Sequence, residues 1–363
     1  MSSRQIVEHF RDWSTTGEAL VLATVVETDG STYSKSGTRM ILRESGEFAG
    51  LVSGGCLEGD LAEHANEVFS TGAPKLVEYD LRTEEDELWG MAIGCRGLIR
   101  ILLQRLDTQH DYAPFTAIAD TLLSRQNGFC ITVTESTNPE LPAGATIVSS
   151  DSETSFWQVD RDHQTWLKMQ IDEPGTPTRR FPGPDGKPLS FLISTITPWP
   201  RLLLLGAGPD AAPIVNLARG LGWSISLVDH RAAQLENPDL DAADEKHCVA
   251  PADLADTLNP ADYSAAVVMS HNLDADKTYL HWLAAAESIP DEGLAYIGLL
   301  GPAARRERLL EVLDNNLALR SRLHGPVGLD IGANSPESIA LALLAEIHAV
   351  LLEREGGRLS QFA

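Results

Sequence analysis

The sequence predicts an α/β protein in two parts: a mixed α/β N-terminal domain over residues 1–198 and a C-terminal domain over 199–363 with a doubly wound parallel sheet. Three observations carry that prediction. Leu203-Leu204-Leu205-Gly206-Ala207-Gly208-Pro209-Asp210-Ala211 leads through an apolar helical stretch to Leu227-Val228-Asp229, the strand, glycine turn, helix and strand of a dinucleotide-binding βαβ unit. Thr197-Pro198-Trp199-Pro200 sets two prolines just ahead of it, where they stop regular structure. Far upstream, Ser53-Gly54-Gly55-Cys56-Leu57-Glu58 is a second, different glycine-rich constellation that opens a helical stretch of its own.

In chain order, residues 4–13 read as a short amphipathic helix, and the β-branched, uninterrupted apolar run 19–26 as a buried strand. Thr28-Asp29-Gly30-Ser31 marks a turn into a strand at 38–42. Ser45-Gly46-Glu47 then turns into another at 48–52. A helix follows the Gly54-Gly55 loop to about Phe69, closed by Thr71-Gly72. Strands are expected at 75–79 and 98–103, with Gly94-Cys95-Arg96-Gly97 between them, and a helix over 114–126. Residues 129–197 hold several short β-like runs, so that 111–198 reads as a β-rich subdomain or connector, and the Pro- and Gly-rich stretch 174–188 reads as a loop. Beyond the boundary, strands at 201–205, 224–228, 265–269 and 295–297 alternate with helices near 209–220, 275–288, 302–322 and 336–354.

Composition narrows the function classes. The 363 residues are 43% hydrophobic, enough for two buried cores, and 28 Lys and Arg against 52 Asp and Glu leave a formal charge of −24. That balance argues against binding a phosphate backbone, which needs clustered cations. The four cysteines, Cys56, Cys95, Cys130 and Cys248, are scattered and form no Cys-x-x-Cys, which argues against a disulfide framework or a structural zinc site. The N-terminus lacks an apolar signal-like segment and no window approaches a membrane span, so the expected compartment is the cytoplasm, with no membrane association.

In the C-terminal half, Gly206 permits the tight turn, Gly208 lets a pyrophosphate approach the backbone, and Ala211 lets helix and strand pack closely. Free amides and the helix dipole favour an anion there, with Pro209 in the first helical turn. Asp229, about 20 residues on, stands where a carboxylate bonds ribose hydroxyls. His271 follows the strand 265–269 and reads as a polar ligand or general base, with Asp276 as an orienting partner; the plain alternative is a helix-capping pair. Gly301-Pro302 leads to Arg305 and Arg306, an anion site or simply surface arginines. Gly328 to Gly332 encloses Asp330, which could ligate or brace its loop.

In the N-terminal half, Cys56 stands at the start of an expected helix, where anions are stabilised, so its thiol is expected to have thiolate character. Such a group could ligate a soft metal, attack an electrophile or handle sulfur; the alternative is a structural cysteine in a tight turn. Cys95 repeats the theme beside Arg96, Cys130 lies within an apolar strand pattern and reads as core, and Arg39 follows the polar loop Ser34-Lys35-Ser36-Gly37, a phosphate site or a solvated turn.

Together these residues resemble the XdhC/CoxI family of accessory proteins that mature molybdenum hydroxylases such as xanthine dehydrogenase and carbon monoxide dehydrogenase. The N-terminal resemblance runs through Ala23-Thr24-Val25-Val26, Gly30-Ser31, Gly37-Thr38-Arg39-Met40 and residues 50–58, and continues at 94–97. The C-terminal resemblance runs through 205–208, 228–231, Ser270-His271-Asn272 with Asp276, 296–301, 325–333 and 336–340. Two positions depart from the family pattern: Pro209, where His is common, and Arg96, where the second cysteine motif usually has Gly.

The resemblance implies an XdhC/CoxI-like N-terminal domain and a Rossmann-like C-terminal domain. It implies a chaperone, rather than an enzyme, that binds molybdenum cofactor, as molybdopterin or its dinucleotide form, and delivers it to an apo molybdenum hydroxylase. The cofactor-contacting set would be Arg39, Ser53, Gly54, Gly55, Cys56, Glu58, Cys95, Gly206, Gly208, Asp229, His271, Gly301 and Asp330, with Cys56 as the metal-proximal ligand. A sulfurtransferase or cofactor-biosynthesis enzyme is a further expected partner, and a homodimer the base-rate assembly. Two rival readings stand beside it: an NAD(H)-dependent oxidoreductase using Asp229 for ribose and His271 as acid/base, and a docking scaffold with a vestigial nucleotide site; the candidates for any catalytic role are Cys56, His271 and Asp276.

Overall fold

The computed structural model describes residues 2–80, 82, 97–169, 177–183, 186–285, 294–313 and 317–361. The chain divides into two compact units, Met1–Trp199 and Pro200–Ala363.

The N-terminal unit begins with helix α1 (Ser3–Ser14), started by a reciprocal capping box between Ser2 and Gln5. Its apolar face, Ile6, Val7, Phe10 and Trp13, is buried. A five-stranded antiparallel sheet follows, in the order β3-β2-β1-β5-β4, from β1 (Leu20–Gly30), β2 (Arg39–Arg43), β3 (Phe48–Gly50), β4 (Lys75–Asp80) and β5 (Gly97–Leu106). Side chains alternate across a strand, so Leu20 and Leu22 join the core under α1, while Val21, Ala23 and Val25 join the core under α2 (Glu58–Thr71). Both faces are covered, which is why β1 reads as an unbroken apolar run; each fully buried leucine contributes about 2 kcal/mol.

Helix α3 (Phe115–Leu123) leads to a second antiparallel sheet, ordered β8-β7-β6-β10-β9 from β6 (Gly128–Ser136), β7 (Thr146–Ser150), β8 (Thr154–Trp157), β9 (Thr178–Pro182) and β10 (Pro188–Ile196). Two features differ from the sequence reading. Among the expected β-like runs lies a helix, α4 (Arg161–Met169), whose buried His163 and Leu167 recur at helical spacing. Strand β9 falls within the stretch read as a loop. It is an edge strand, where the missing amide of Pro182 breaks no ladder.

The C-terminal unit is a six-stranded, all-parallel sheet ordered β13-β12-β11-β14-β15-β16. Its strands are β11 (Arg201–Leu205), β12 (Ser224–Asp229), β13 (Glu245–Cys248), β14 (Ala265–Val268), β15 (Tyr296–Leu299) and β16 (Leu323–His324). Numbered within the unit, this is the 3-2-1-4-5-6 order of doubly wound dinucleotide-binding folds, and it reverses between β11 and β14. Helices α5 (Ala211–Gly220) and α10 (Pro336–Leu351) bury one face through Ile214, Val215, Leu343 and Ile347. Helices α7 (Leu273–Ala285) and α8 (Ala303–Val312) bury the other through Leu280, Leu283, Leu309 and Leu310. A short α6 (Ala232–Leu235) follows β12, and α9 (Leu317–Arg322) is separate from α8, where one helix was expected over 302–322. Strands β13 and β16 had no sequence signal: β13 is Glu-Lys-His-Cys, without a large apolar side chain, and β16 spans two residues at the sheet edge.

Candidate functional site

In the N-terminal unit the chemistry gathers on residues 52–58. Chain reversal after β3 brings the loop back over the first turn of α2, where Glu58 captures it. Glu58 Oε1 accepts the amides of Val52 and Ser53, each at 2.9 Å, and Oε2 accepts the Ser53 hydroxyl at 2.5 Å and the Gly55 amide at 2.9 Å. Ser53 Oγ in turn accepts the Leu57 amide at 2.7 Å. Glu58 is 2% exposed. Burial pushes its carboxyl up, but the Ser53 hydroxyl and the loop amides outweigh it and hold it below its ordinary value.

This corrects two sequence expectations. The helix starts at Glu58, so Cys56 precedes it rather than occupying its first turn. The amides that would stabilise an anion are taken by Glu58, whose place is under the loop as its anchor rather than on its surface as a contact. What the anchored loop presents is an exposed thiol, Cys56. Gly54 has φ +78 and the ring of Tyr33 packed on it, 3.2 Å from where a Cβ would stand, while a Cβ on Gly55 would meet nothing within 4 Å. Tyr33, 64% exposed, was not singled out from the sequence, where a lone aromatic in a polar loop gives no signal. Arg39 opens β2 and donates to Ser194 Oγ at 2.8 Å, across to β10, so it serves a cross-sheet hydrogen bond. Cys95 lies outside the described residues. Cys130 is buried in the core and Cys248 is exposed at the end of β13.

In the C-terminal unit the strand ends at the order reversal bring Gly206, Gly208, Asp229 and His271 together. Gly206 is required by the fold: it has φ +129, and a Cβ there would stand 2.6 Å from the Met269 carbonyl oxygen, just after β14. Gly208 is not, since its Cβ would meet only the His271 ring at 3.6 Å, an ordinary contact. Asp229 is almost wholly buried. Its Oδ2 accepts the Ala207 amide at 2.9 Å and Arg231 Nη2 at 2.8 Å, and its Oδ1 accepts the Arg231 amide and Nε, each at 2.9 Å. Burial opposes its charge, but hydrogen bonds from Arg231 and the Ala207 amide prevail and hold the carboxyl at about 2. The acid expected to meet ribose is thus occupied inside the chain, fastening the glycine turn.

His271 adopts left-handed backbone, φ +57, and its Nε2 lies 3.3 Å from Asp210 Oδ2. Its partner is therefore Asp210, and not Asp276 as expected. Asp276 is 1% exposed and bonds Ser270 Oγ at 2.5 Å and Arg305 through Nε at 2.9 Å and Nη2 at 2.5 Å. Arg305, against which Gly301 packs, and Arg306, bound to the Leu323 carbonyl and Glu307, are correspondingly committed rather than forming an anion site. Helix α5 starts at Ala211, so Pro209 precedes it and Pro213 sits in its first turn. Asp210 occupies the cap position of that helix, makes no side-chain hydrogen bond to its amides, and turns its carboxylate to His271.

Asp330 is exposed on the Gly328–Gly332 loop and has no hydrogen bond or ion pair among the described residues. That loop has its own anchor: Glu346 of α10 accepts the Gly328 amide at 2.8 Å and the Tyr296 hydroxyl at 2.5 Å. Sequence reasoning missed Glu346, because nothing local marks which acid of a helix will face a loop 18 residues before it.

Comparisons with known proteins agree with the fold. A family model for the XdhC and CoxI family matches residues 13–80, and one for the XdhC Rossmann domain matches 202–347. The chain is 32% identical over 333 residues to a probable xanthine dehydrogenase subunit of Bacillus subtilis, covering 91% of this chain and 92% of that one. It is 23% identical over 342 residues to the molybdenum cofactor insertion chaperone PaoD of Escherichia coli, covering 93% and 86%. A crystal structure described as a xanthine dehydrogenase from Bacillus halodurans superposes with a TM-score of 0.78 at 31% identity, covering 97% of each chain.

Proposed function

The chain belongs to the XdhC and CoxI family, and from that premise we propose that it is a maturation factor that carries molybdenum cofactor to a hydroxylase of the xanthine dehydrogenase type. The observation that carries this reading is the Cys56 loop: an exposed thiol on a loop held rigid from beneath, with open space at Gly55. A soft sulfur donor and a backbone free of side chains suit a bulky molybdenum–dithiolene cargo. Glu58 would hold the loop's shape, Cys56 would lie nearest the metal or its sulfur, and in the C-terminal unit Gly208, the exposed Asp330 and His271 beside Asp210 would meet a ligand. The receiving partner would be an apo hydroxylase, and the compartment the cytoplasm.

An NAD(H) enzyme draws support from the 3-2-1-4-5-6 strand order alone. Asp229 is occupied by Arg231 and Ala207, so the dinucleotide reading loses its specific ribose contact.

The test is retention and transfer. Purified chain is mixed with molybdopterin or its dinucleotide, gel-filtered, and the bound pterin identified by mass spectrometry; apo hydroxylase is then added and its turnover followed. The expected result is about one cofactor per chain and recovery of hydroxylase activity. Absence of retention of either form would overturn the proposal, and saturable NADH binding would restore its rival.

A further inference from the structure

The polar loop between β1 and β2, residues 31–38, sets the most exposed of the described Phe, Tyr and Trp side chains against the Cys56 loop. Tyr33 is 64% exposed, yet its ring has a fixed neighbour. Its Cδ2, Cε2 and Cγ lie 3.2, 3.2 and 3.4 Å from where a Cβ on Gly54 would stand. Bonded carbons at nearly one distance put that point over the face of the ring, since an approach in the ring plane would leave the third carbon much farther off. We propose that Tyr33 is a stacking platform for the pterin ring of molybdenum cofactor, with one face on Gly54 and the other on the cargo. This role rests on the carrier reading and adds to it the residue that recognises the organic part of the cargo.

The backbone beneath the ring sets its place. Ser34 is buried, and its Oγ donates to the Leu51 carbonyl at 3.5 Å, which ties the loop to the entrance of the Cys56 loop. Thr32 Oγ1 donates to the Ser34 carbonyl at 2.9 Å and closes the chain around Tyr33. From the other side, Gly97 at the start of β5 packs bare against the loop: a Cβ there would stand 2.7 Å from both the Ser31 carbonyl oxygen and Thr32 Cγ2. An aromatic ring is ordinarily placed where it loses water. Here the chain fixes the loop and leaves the outer face of the ring in water. A face held in position before anything binds loses little freedom when a flat molecule covers it.

The chemistry of the cargo then selects what lies on that face. A pterin is a flat, electron-poor heterocycle, and such rings stack on aromatic side chains in offset geometry. Molybdenum cofactor carries this ring and its dithiolene on one framework. Cys56 follows Gly54 by two residues, within about 7 Å along the backbone. The exposed thiol and the tyrosine ring are thus presented side by side, and a Cβ on Gly55 between them would meet nothing within 4 Å. Cys56 addresses the metal–sulfur end and Tyr33 the ring, so a ligand with one end alone would engage half of the site.

The experiment titrates the full chain with molybdopterin by equilibrium dialysis under nitrogen, as wild type, Tyr33→Ala and Tyr33→Phe. Tyr33→Phe should bind within about twofold of wild type, because stacking needs the ring and not the hydroxyl, and Tyr33→Ala about tenfold more weakly. Circular dichroism should not change, since the ring is exposed. Alkylation of Cys56 by iodoacetamide without cofactor, followed by mass spectrometry, should keep its rate in Tyr33→Ala, because Ser34 and Glu58 still hold the two loops. Equal affinity in wild type and Tyr33→Ala would overturn the platform and leave the carrier reading standing. So would an equal loss in Tyr33→Phe, or a loss in Tyr33→Ala that comes with much faster alkylation of Cys56, since Tyr33 would then only brace the loop. Failure of the wild type to bind molybdopterin would overturn the carrier reading, and the platform with it.

Discussion

The Cys56 loop and the Gly206 turn are built alike and used differently. Each is a glycine-containing loop leading into a helix, and each is fastened by a buried carboxylate that accepts backbone amides: Glu58 from Val52, Ser53 and Gly55, and Asp229 from Ala207. In the first, the anchor lies beneath the loop, and the residue displayed, Cys56, is free. In the second, the anchor is the residue that the motif would offer to a ligand, and Arg231 closes over it. A glycine motif therefore announces a backbone shape. Whether it also announces a ligand depends on where its acid finds hydrogen bonds.

The sharpest way to break this comparison is at the two glycines of the turn. Gly206→Ala should cost about 4 kcal/mol, because its Cβ would strike the Met269–Ser270 backbone just after β14 in a left-handed conformation. Gly208→Ala should change stability by less than about 0.5 kcal/mol. Urea unfolding of both variants measures the difference, and similar costs would show that the fold alone demands both glycines.

Glu58→Ala should rank next, at about 3 kcal/mol, since it strands buried donors of the loop. Cofactor retention should fall with it, and Glu58→Gln should recover part of both. If Glu58→Ala unfolds at the wild-type urea midpoint, the loop is not held from beneath.

Asp229→Asn should cost about 2 kcal/mol at neutral pH, from weakened bonds to Arg231. The pH dependence gives a second check. The Asp229 carboxyl is held at about 2 against an ordinary 3.8, so its contribution is present above about pH 4 and is lost as the pH falls through about 2. The variant's unfolding curve should be flatter over that window, and equal acid sensitivity would break the assignment.

The smallest structural effect belongs to Cys56→Ala, within about 0.5 kcal/mol because the thiol is exposed. It should nevertheless reduce cofactor retention at least tenfold. Unchanged retention would make the two loops alike, both serving the fold.

Much of this protein was legible from its residues. The parallel sheet, its central strands and the helices that cover them follow from apolar periodicity and from the Gly206 turn, since burial and backbone sterics act over short stretches. The short edge strand β13, the helix α4 and the edge strand β9 were not, because edge strands need little apolar surface and short helices give weak periodicity.

Side-chain partnership was the part that only the tertiary structure decided. From sequence alone, Asp229 suited a ribose, Asp276 suited His271 and Arg305 suited an anion. Folded, Asp229 meets Arg231, Asp276 meets Arg305, and His271 meets Asp210. The physical reason is that a charged group's role depends on the nearest opposite charge and on its loss of water, and both are set by strands and helices far apart in the chain. The sequence by itself determined that a cysteine stands in a glycine loop and a histidine at a strand end; the packing around them decided which polar groups remain free.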